Sequence, residues 1–371
     1  MTRAALAVLV AGAVSGCSWL PFWGEKLPNL PVLSAPAPAK VAWSLSVAKS
    51  GEYTFSPAIG QGVIYVAGPN GTVTVISEAT GRSTATFDAG KRLTGGVGFG
   101  EGRIVVANQK GEVIALDAAG KVLWTTSTTG EVLAAPSILA GVVIVRTSDG
   151  RIIGLNVLDG KRKWLYQRPA PALTLRSASG VVFGKGTLYA GFPGGKLVAL
   201  DAESGKPIWE ATLSIPRGAT ELERIADIGG LPVLDGTRVC AAVYQGRSGC
   251  VETLNGNVLW SREVSGATGV AVDDKNLYFA DEQGNVIALD KVSGASVWKQ
   301  EALVKRKPAT PVIFAGRVWL GDSTGLIHAL STDNGSLAGR IQTDGSAIES
   351  LTVVNDALLA QTDKGGVYAI R

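Results

Sequence analysis

Apolar and polar residues alternate with a period of two along most of this chain, in short runs bounded by Gly, Asp, Asn and Ser. That pattern reads as half-buried strands separated by tight turns. The stretch 269–299 shows it well: strands are predicted at 269–272, 277–280, 285–289 and 296–299, with turn residues at 281–284. No stretch sustains a 3.6-residue apolar period, so very little helix is expected.

One phrase recurs: Gly, an apolar alternation, Leu-Asp or Leu-Asn, a Gly turn, then Trp. It runs from Gly111 to Asp117 with Gly120 and Trp124, and again from Gly150 with Gly160 and Trp164. It returns from Gly195 with Gly205 and Trp209, from Gly249 with Gly256 and Trp260, and from Gly284 with Gly294 and Trp298. Weaker copies start at Gly71 and Gly325, and a truncated one at Gly365. The eight glycines are spaced by 40, 39, 45, 54, 35, 41 and 40 residues, a mean of 42. A period near 42 built from short strands is that of a four-stranded propeller blade. The last copy lacks its outer strand, and residues 41–45 form an orphan strand with Trp43 in the repeat position. The fold expected is therefore all-β: an eight-bladed β-propeller of four-stranded blades, closed by the N-terminal strand completing the last blade. Seven blades plus an unrelated strand is the alternative. The recurring Trp is read as filler between blades, with its N–H on a carbonyl. Blades one and seven carry Ala85 and Gly339 there, so their packing must differ.

Composition narrows the function. Of 371 residues, 48 are Gly, one is His and three are Cys, and Met1 is the only methionine. Zinc sites with several histidines and haem held by His and Met are excluded, and a Ser-His-Asp triad would have to use His328. His328 aligns with Ile114, Ile153, Val198 and Ile287 and reads as a packing position without nearby acids. The net charge is +4 and no run of five Lys/Arg exists, so nucleic acid is not indicated as a partner.

The N-terminus reads as an address. Arg3 precedes an apolar run at 4–13 too short to span a bilayer, and Val14-Ser15-Gly16-Cys17 looks like a bacterial lipobox. This divides the chain into a signal peptide (1–16), a lipidated Cys17 with a proline-rich tether (17–40) and the propeller (41–371). Five prolines between 21 and 38 favour an extended tether that holds the domain clear of the membrane. Trp19, Phe22 and Trp23 suit either the lipid interface or the domain surface. With Cys17 acylated, Cys240 and Cys250 form an even pair in an oxidising compartment, either a cross-strand disulfide or two buried thiols, depending on register.

The long 45- and 54-residue intervals are adjacent, and their excess falls at equivalent places, 166–177 and 212–232. Two enlarged connectors should therefore lie side by side on one face. The first offers Leu173, Leu175 and Arg176, and the second Glu221, Glu223, Arg224 and Asp227. They read either as an apolar contact ringed by charge, suited to a protein partner, or as leucines tucked inward with Arg176 clasping Asp227.

Lipobox, proline tether, eight repeats, and the phrase Leu173-Thr-Leu-Arg176 followed by Arg224-Ile-Ala-Asp227 together resemble the BamB family of lipoproteins of the outer-membrane β-barrel assembly machinery. The resemblance implies a non-enzymatic periplasmic scaffold, lipid-anchored to the outer membrane and without a cofactor. It implies docking on the POTRA domains of BamA through Leu173, Leu175, Arg176 and Asp227. Other lipoproteins of the machinery would be indirect partners and unfolded outer-membrane proteins the clients, with the chain a monomer within the complex. The family often has a second acidic residue two places after this Asp, where Gly229 stands here. The outer blade strands also offer edges for pairing with a client strand. Two rival readings are a pyrroloquinoline-quinone dehydrogenase and a glycan- or peptidoglycan-binding lipoprotein. The first lacks an adjacent-cysteine pair and an acidic cluster on inner strands, and the second would need tryptophans that the blades already use.

Overall fold

In the computed structural model, residues 27–33, 39–169, 171 and 173–371 are described. Cys17, Trp19, Phe22 and Trp23 lie outside them. The described residues form 32 strands and no helix, arranged as eight sheets of four antiparallel strands. Blade one runs from β2 (Ala58–Ile59) to β5 (Ser83–Asp88), and blades two to seven follow in chain order. Blade eight is β30 (Ile348–Val354), β31 (Ala357–Thr362) and β32 (Gly366–Ile370), completed by β1 (Val41–Ser46). The N-terminal strand thus closes the ring, with Ser44 opposite Tyr368 and Ser46 opposite Gly366.

The repeated phrase has a physical reading at each position. The Asp or Asn after Leu accepts turn N–H groups: Asp117 from Ala119 and Lys121, and Asp290 from Val292 and Ser293. Four of the repeat Trp residues bond the next blade: Trp124 donates its indole N–H to Val157 O at 3.0 Å, Trp209 to Thr253 O at 2.8 Å, Trp260 to Lys291 O at 3.1 Å and Trp298 to Thr332 O at 2.9 Å, whereas Trp164 packs on Gly205 of the next blade without such a bond. Trp43 donates likewise to Glu78 O at 3.1 Å. The indole lies on the turn glycine of that blade. A Cβ on Gly160 would come within 2.5 Å of Trp124, and φ there is +70°. The residue across the sheet from each Trp is small for the same reason: Gly154 faces Trp164, Ala199 faces Trp209 and Cys250 faces Trp260.

Blade one inverts the arrangement, placing Val75 opposite Ala85. Phe87 takes over the contact with the next turn, at Gly120. Blade seven has no receptor to reach. The corresponding hairpin turn of blade eight does not exist, because its third and fourth strands come from the two ends of the domain, joined by paired backbone bonds between Lys40 and Arg371. A Trp at Gly339 would have nothing to cap.

The segment read as a free tether is partly docked. Leu30 packs on the core between blades six and seven, and Ala39 on the core between blades seven and eight. The expectation of an extended, free-standing tether does not hold for residues 27–33.

Candidate functional site

Two enlarged connectors, from β13 (Arg162–Gln167) to β14 (Val182–Gly184) and from β17 (Pro207–Thr212) to β18 (Val233–Asp235), meet on one face. Their link is Asp227. It is 3 % exposed, and its carboxylate accepts the Leu175 N–H at 2.7 Å and the Gly194 N–H at 3.2 Å. Ser179 Oγ donates to Gly229 O at 2.8 Å, a second tie between the connectors. The sequence placed Asp227 among surface contacts; the structure turns its side chain inward, where it holds the first connector in place.

Arg176 does not clasp Asp227. Its guanidinium grips Glu131 through Nη2 at 2.9 Å and Nε at 3.3 Å, and lies 5.5 Å from the centre of the Tyr53 ring. The hydrogen bonds to Glu131 raise its pKa further above the ordinary arginine value. Half of the side chain remains exposed. Leu173 is 45 % exposed, whereas Leu175 is half-buried beside Gly229. A Cβ at Gly229 would sit 3.3 Å from Leu175 Cδ1 with no backbone strain, so an acidic side chain there would crowd this leucine.

The second connector is closed on itself. Glu223 accepts the N–H groups of Ala219 (2.7 Å) and Thr220 (3.1 Å), and Arg224 donates to Gly218 O and Ala219 O. Those bonds fix its shape while leaving Ile215 and Leu222 exposed. Such a preshaped loop loses little entropy when it meets a partner. Beneath both connectors, Arg146 donates to Gly180 O at 3.3 Å and to Gly191 O, and stacks 4.9 Å over Phe192. Burial pushes its guanidinium down to about 10.

Two features escaped the sequence. Glu131 and Tyr53 come from connectors of other blades, and only the ring brings them to Arg176. His328 is the second. It is fully buried, but it is not a mere packing residue: Nε2 lies 2.9 Å from Asp322 Oδ2, which also takes a bond from Arg306 Nη1 at 3.2 Å. Burial pushes the imidazole below its ordinary value against the opposing pull of Asp322. Burial works against the Asp322 charge too, but hydrogen bonds from His328, Thr324 and the Leu326 N–H outweigh it and hold the carboxyl down to about 2. The Asp322-to-His328 spacing of six was visible, but pairing across a turn was not inferred from it.

Cys240 and Cys250 face each other across β19 (Arg238–Ala241) and β20 (Ser248–Glu252) and form a buried disulfide. Among the described residues no group of three His, Cys, Asp or Glu side chains is placed to hold a metal ion. The central channel, about 390 Å³, is lined by Ala, Gly, Ser, Thr and Leu with Glu349 its one ionisable side chain.

The chain is a closed eight-bladed β-propeller carrying one preshaped pair of connectors, a form shared by enzymes and binding proteins alike. The family model for outer membrane protein assembly factor BamB matches residues 69–300, and the chain belongs to that family. It is 42 % identical over 335 residues to the BamB of Nitrosomonas eutropha, covering 90 % of this chain and 82 % of that one. It is 40 % identical to the BamB of Burkholderia pseudomallei, covering 89 % and 87 %. The crystal structure of BamB from Moraxella catarrhalis superposes with a TM-score of 0.84 at 26 % identity, covering 90 % of this chain and 99 % of that one. A quinohemoprotein alcohol dehydrogenase from Comamonas testosteroni matches at 0.71 and 15 % identity over 90 % of this chain and 76 % of its own, a likeness of fold alone.

Proposed function

We propose that the protein is a non-enzymatic scaffold in outer-membrane protein assembly. It is anchored through acylated Cys17 to the periplasmic face of the outer membrane and docks on the POTRA domains of BamA. Family membership supports the assembly role. The observation that carries the docking reading is the connector pair itself: Leu173 and Arg176 are presented outward by a loop whose backbone is pinned from beneath by Asp227. Leu175 and Asp227 shape the contact, and Leu173 and Arg176 make it. The test is binding of the chain beginning after Cys17 to a tandem of BamA POTRA domains. Leu173→Ala and Arg176→Ala should each weaken binding about tenfold or more, as removal of an interface anchor does. Saturable binding that neither variant changes would keep the partner and discard this site. No binding by the folded chain would discard both.

Client contact has its own support. The outer strands of blades two and five expose Val122, Leu123, Val258 and Leu259, apolar edges suited to a client strand. Hydrogen exchange on a complex with an unfolded outer-membrane protein should protect outer-strand amides. Unchanged exchange there refutes strand pairing.

A further inference from the structure

Blade seven is one of the two blades that lack the outer Trp, and the N-terminal strap crosses it. Arg306 Nη2 donates to Pro28 O at 3.1 Å and Arg340 Nη2 donates to Pro31 O at 3.1 Å. Leu30, between those two carbonyls, packs on the cluster that holds Trp298, Leu303 and Leu330. Arg306 is 7 % exposed and is itself fixed by Asp322, so one end of the strap is clamped to a buried, hydrogen-bonded base. The prolines at 28 and 31 lack N–H groups and offer only carbonyls, which suits a strap held by arginine donors.

We infer that this strap orients the propeller on the membrane, with the rim of blade seven facing the lipid surface. The inference rests on the reading that Cys17 is acylated. Ten residue steps separate Cys17 from Leu27, and at full extension they reach about 35 Å. A free tether up to the start of β1 would reach roughly twice as far and leave the ring free to tumble. With the strap clamped, the anchor leaves from one rim. The connector after blade three leaves the rim four blades away in a ring of eight, so it enters the face from the membrane-distal side and carries Leu173 and Arg176 inward toward Tyr53. The strap therefore sets which side of the scaffold is offered to a partner.

Two measurements separate the strap from the anchor. In the non-acylated chain (Cys17→Ser), nitroxides at Asn29→Cys and Ser336→Cys should give a narrow distance distribution. The pair Leu30→Asp with Arg340→Ala should broaden it. This pair leaves Arg306 and its buried partners intact. A broad distribution in the otherwise native chain overturns the strap. In the acylated chain on phosphatidylcholine vesicles carrying an acceptor lipid, a fluorophore at Ser336→Cys should transfer energy several-fold more than one at Lys161→Cys, the equivalent turn of blade three. The double variant should erase the difference. Equal transfer from both sites, or a difference that survives the double variant, overturns the orientation. A chain that does not float with the vesicles refutes acylation of Cys17, and the nitroxide pair still decides the strap.

Discussion

Replacing Asp227 with Ala tests the claim that this residue positions the docking loop rather than touching the partner. The carboxylate accepts the N–H of Leu175 at 2.7 Å and that of Gly194 at 3.2 Å. Hydrogen bonds to a charged group contribute about 1.5–3 kcal/mol each, so both together come to about 3–6 kcal/mol if the two donors stay buried. They need not stay buried. Leu175 and Gly194 are each only partly shielded, and a loosened loop lets water reach both donors. The loss is then limited by the cost of opening that loop, about 2 kcal/mol, and appears locally rather than as global unfolding. Two kcal/mol corresponds to roughly a thirtyfold change in an equilibrium constant. Amide exchange at Leu175 should accelerate by about that factor, with the melting temperature nearly unchanged. Asp227→Asn keeps one acceptor and should show a smaller acceleration. If Leu175 exchange is unaltered while the melting temperature falls, Asp227 braces the ring and not the loop, and the positioning argument is refuted.

Trp124→Ala should destabilise the propeller by about 3–5 kcal/mol in chemical denaturation, since it removes a buried indole and orphans the Val157 carbonyl. Ala85→Gly, at the equivalent place in blade one, should cost under about 1 kcal/mol, because Phe87 makes that inter-blade contact. Replacing Cys240 and Cys250 with Ala opens a short loop and should cost about 2–3 kcal/mol, read as a lower unfolding midpoint that reductant no longer shifts. Stability should also fall in acid. His328 has a folded-state pKa below its ordinary 6.5, so the unfolded chain takes up its proton first and stability declines as pH drops below 6.5, by at most about 1.4 kcal/mol per pH unit. His328→Gln should flatten that decline in urea unfolding between pH 5 and 7, and an unchanged slope assigns it to another group. Asp322 adds a second loss as pH falls from 3.8 toward about 2, where its carboxylate takes up a proton.

The ring was legible because a propeller writes its architecture in local terms. A turn Asp, a turn Gly and a Trp each act within one blade or on the next, so a 42-residue period carries the whole plan. The two connectors were legible as excess length at equivalent places. Their internal wiring was not. The acceptor for the Leu175 N–H lies 52 residues away, and the partner of Arg176 lies 45 residues upstream in another blade's connector. Opposite charges on two connectors expected side by side suggested, as one of two readings, Arg176 with Asp227. A buried carboxylate between backbone N–H groups instead satisfies two donors that a buried loop would otherwise leave unpaired. The surface arginine then takes the carboxylate left at the rim.

Blade seven shows how a gap in a repeat can carry information. Gly339 looked like a degenerate copy, yet a Trp caps the third hairpin of the following blade, and blade eight has none because the domain begins and ends there. The absent Trp is thus a consequence of closing the ring with the N-terminal strand, and the same closure brings the segment before β1 to this rim. Arg340, next to Gly339, then finds the Pro31 carbonyl in place of a neighbouring turn. Closure by a terminal strand and the seating of the strap are therefore coupled. Moving the closure point by circular permutation should restore a need for Trp at Gly339 and detach the strap from β1 at the same time. A permutant joined from Arg371 to Lys40 through a Gly-rich linker of about two to four residues, with its new ends in a turn of another blade, creates the missing turn, so Gly339→Trp should stabilise that permutant and destabilise the native chain. The same sign of effect in both chains would break the link between closure and the missing Trp.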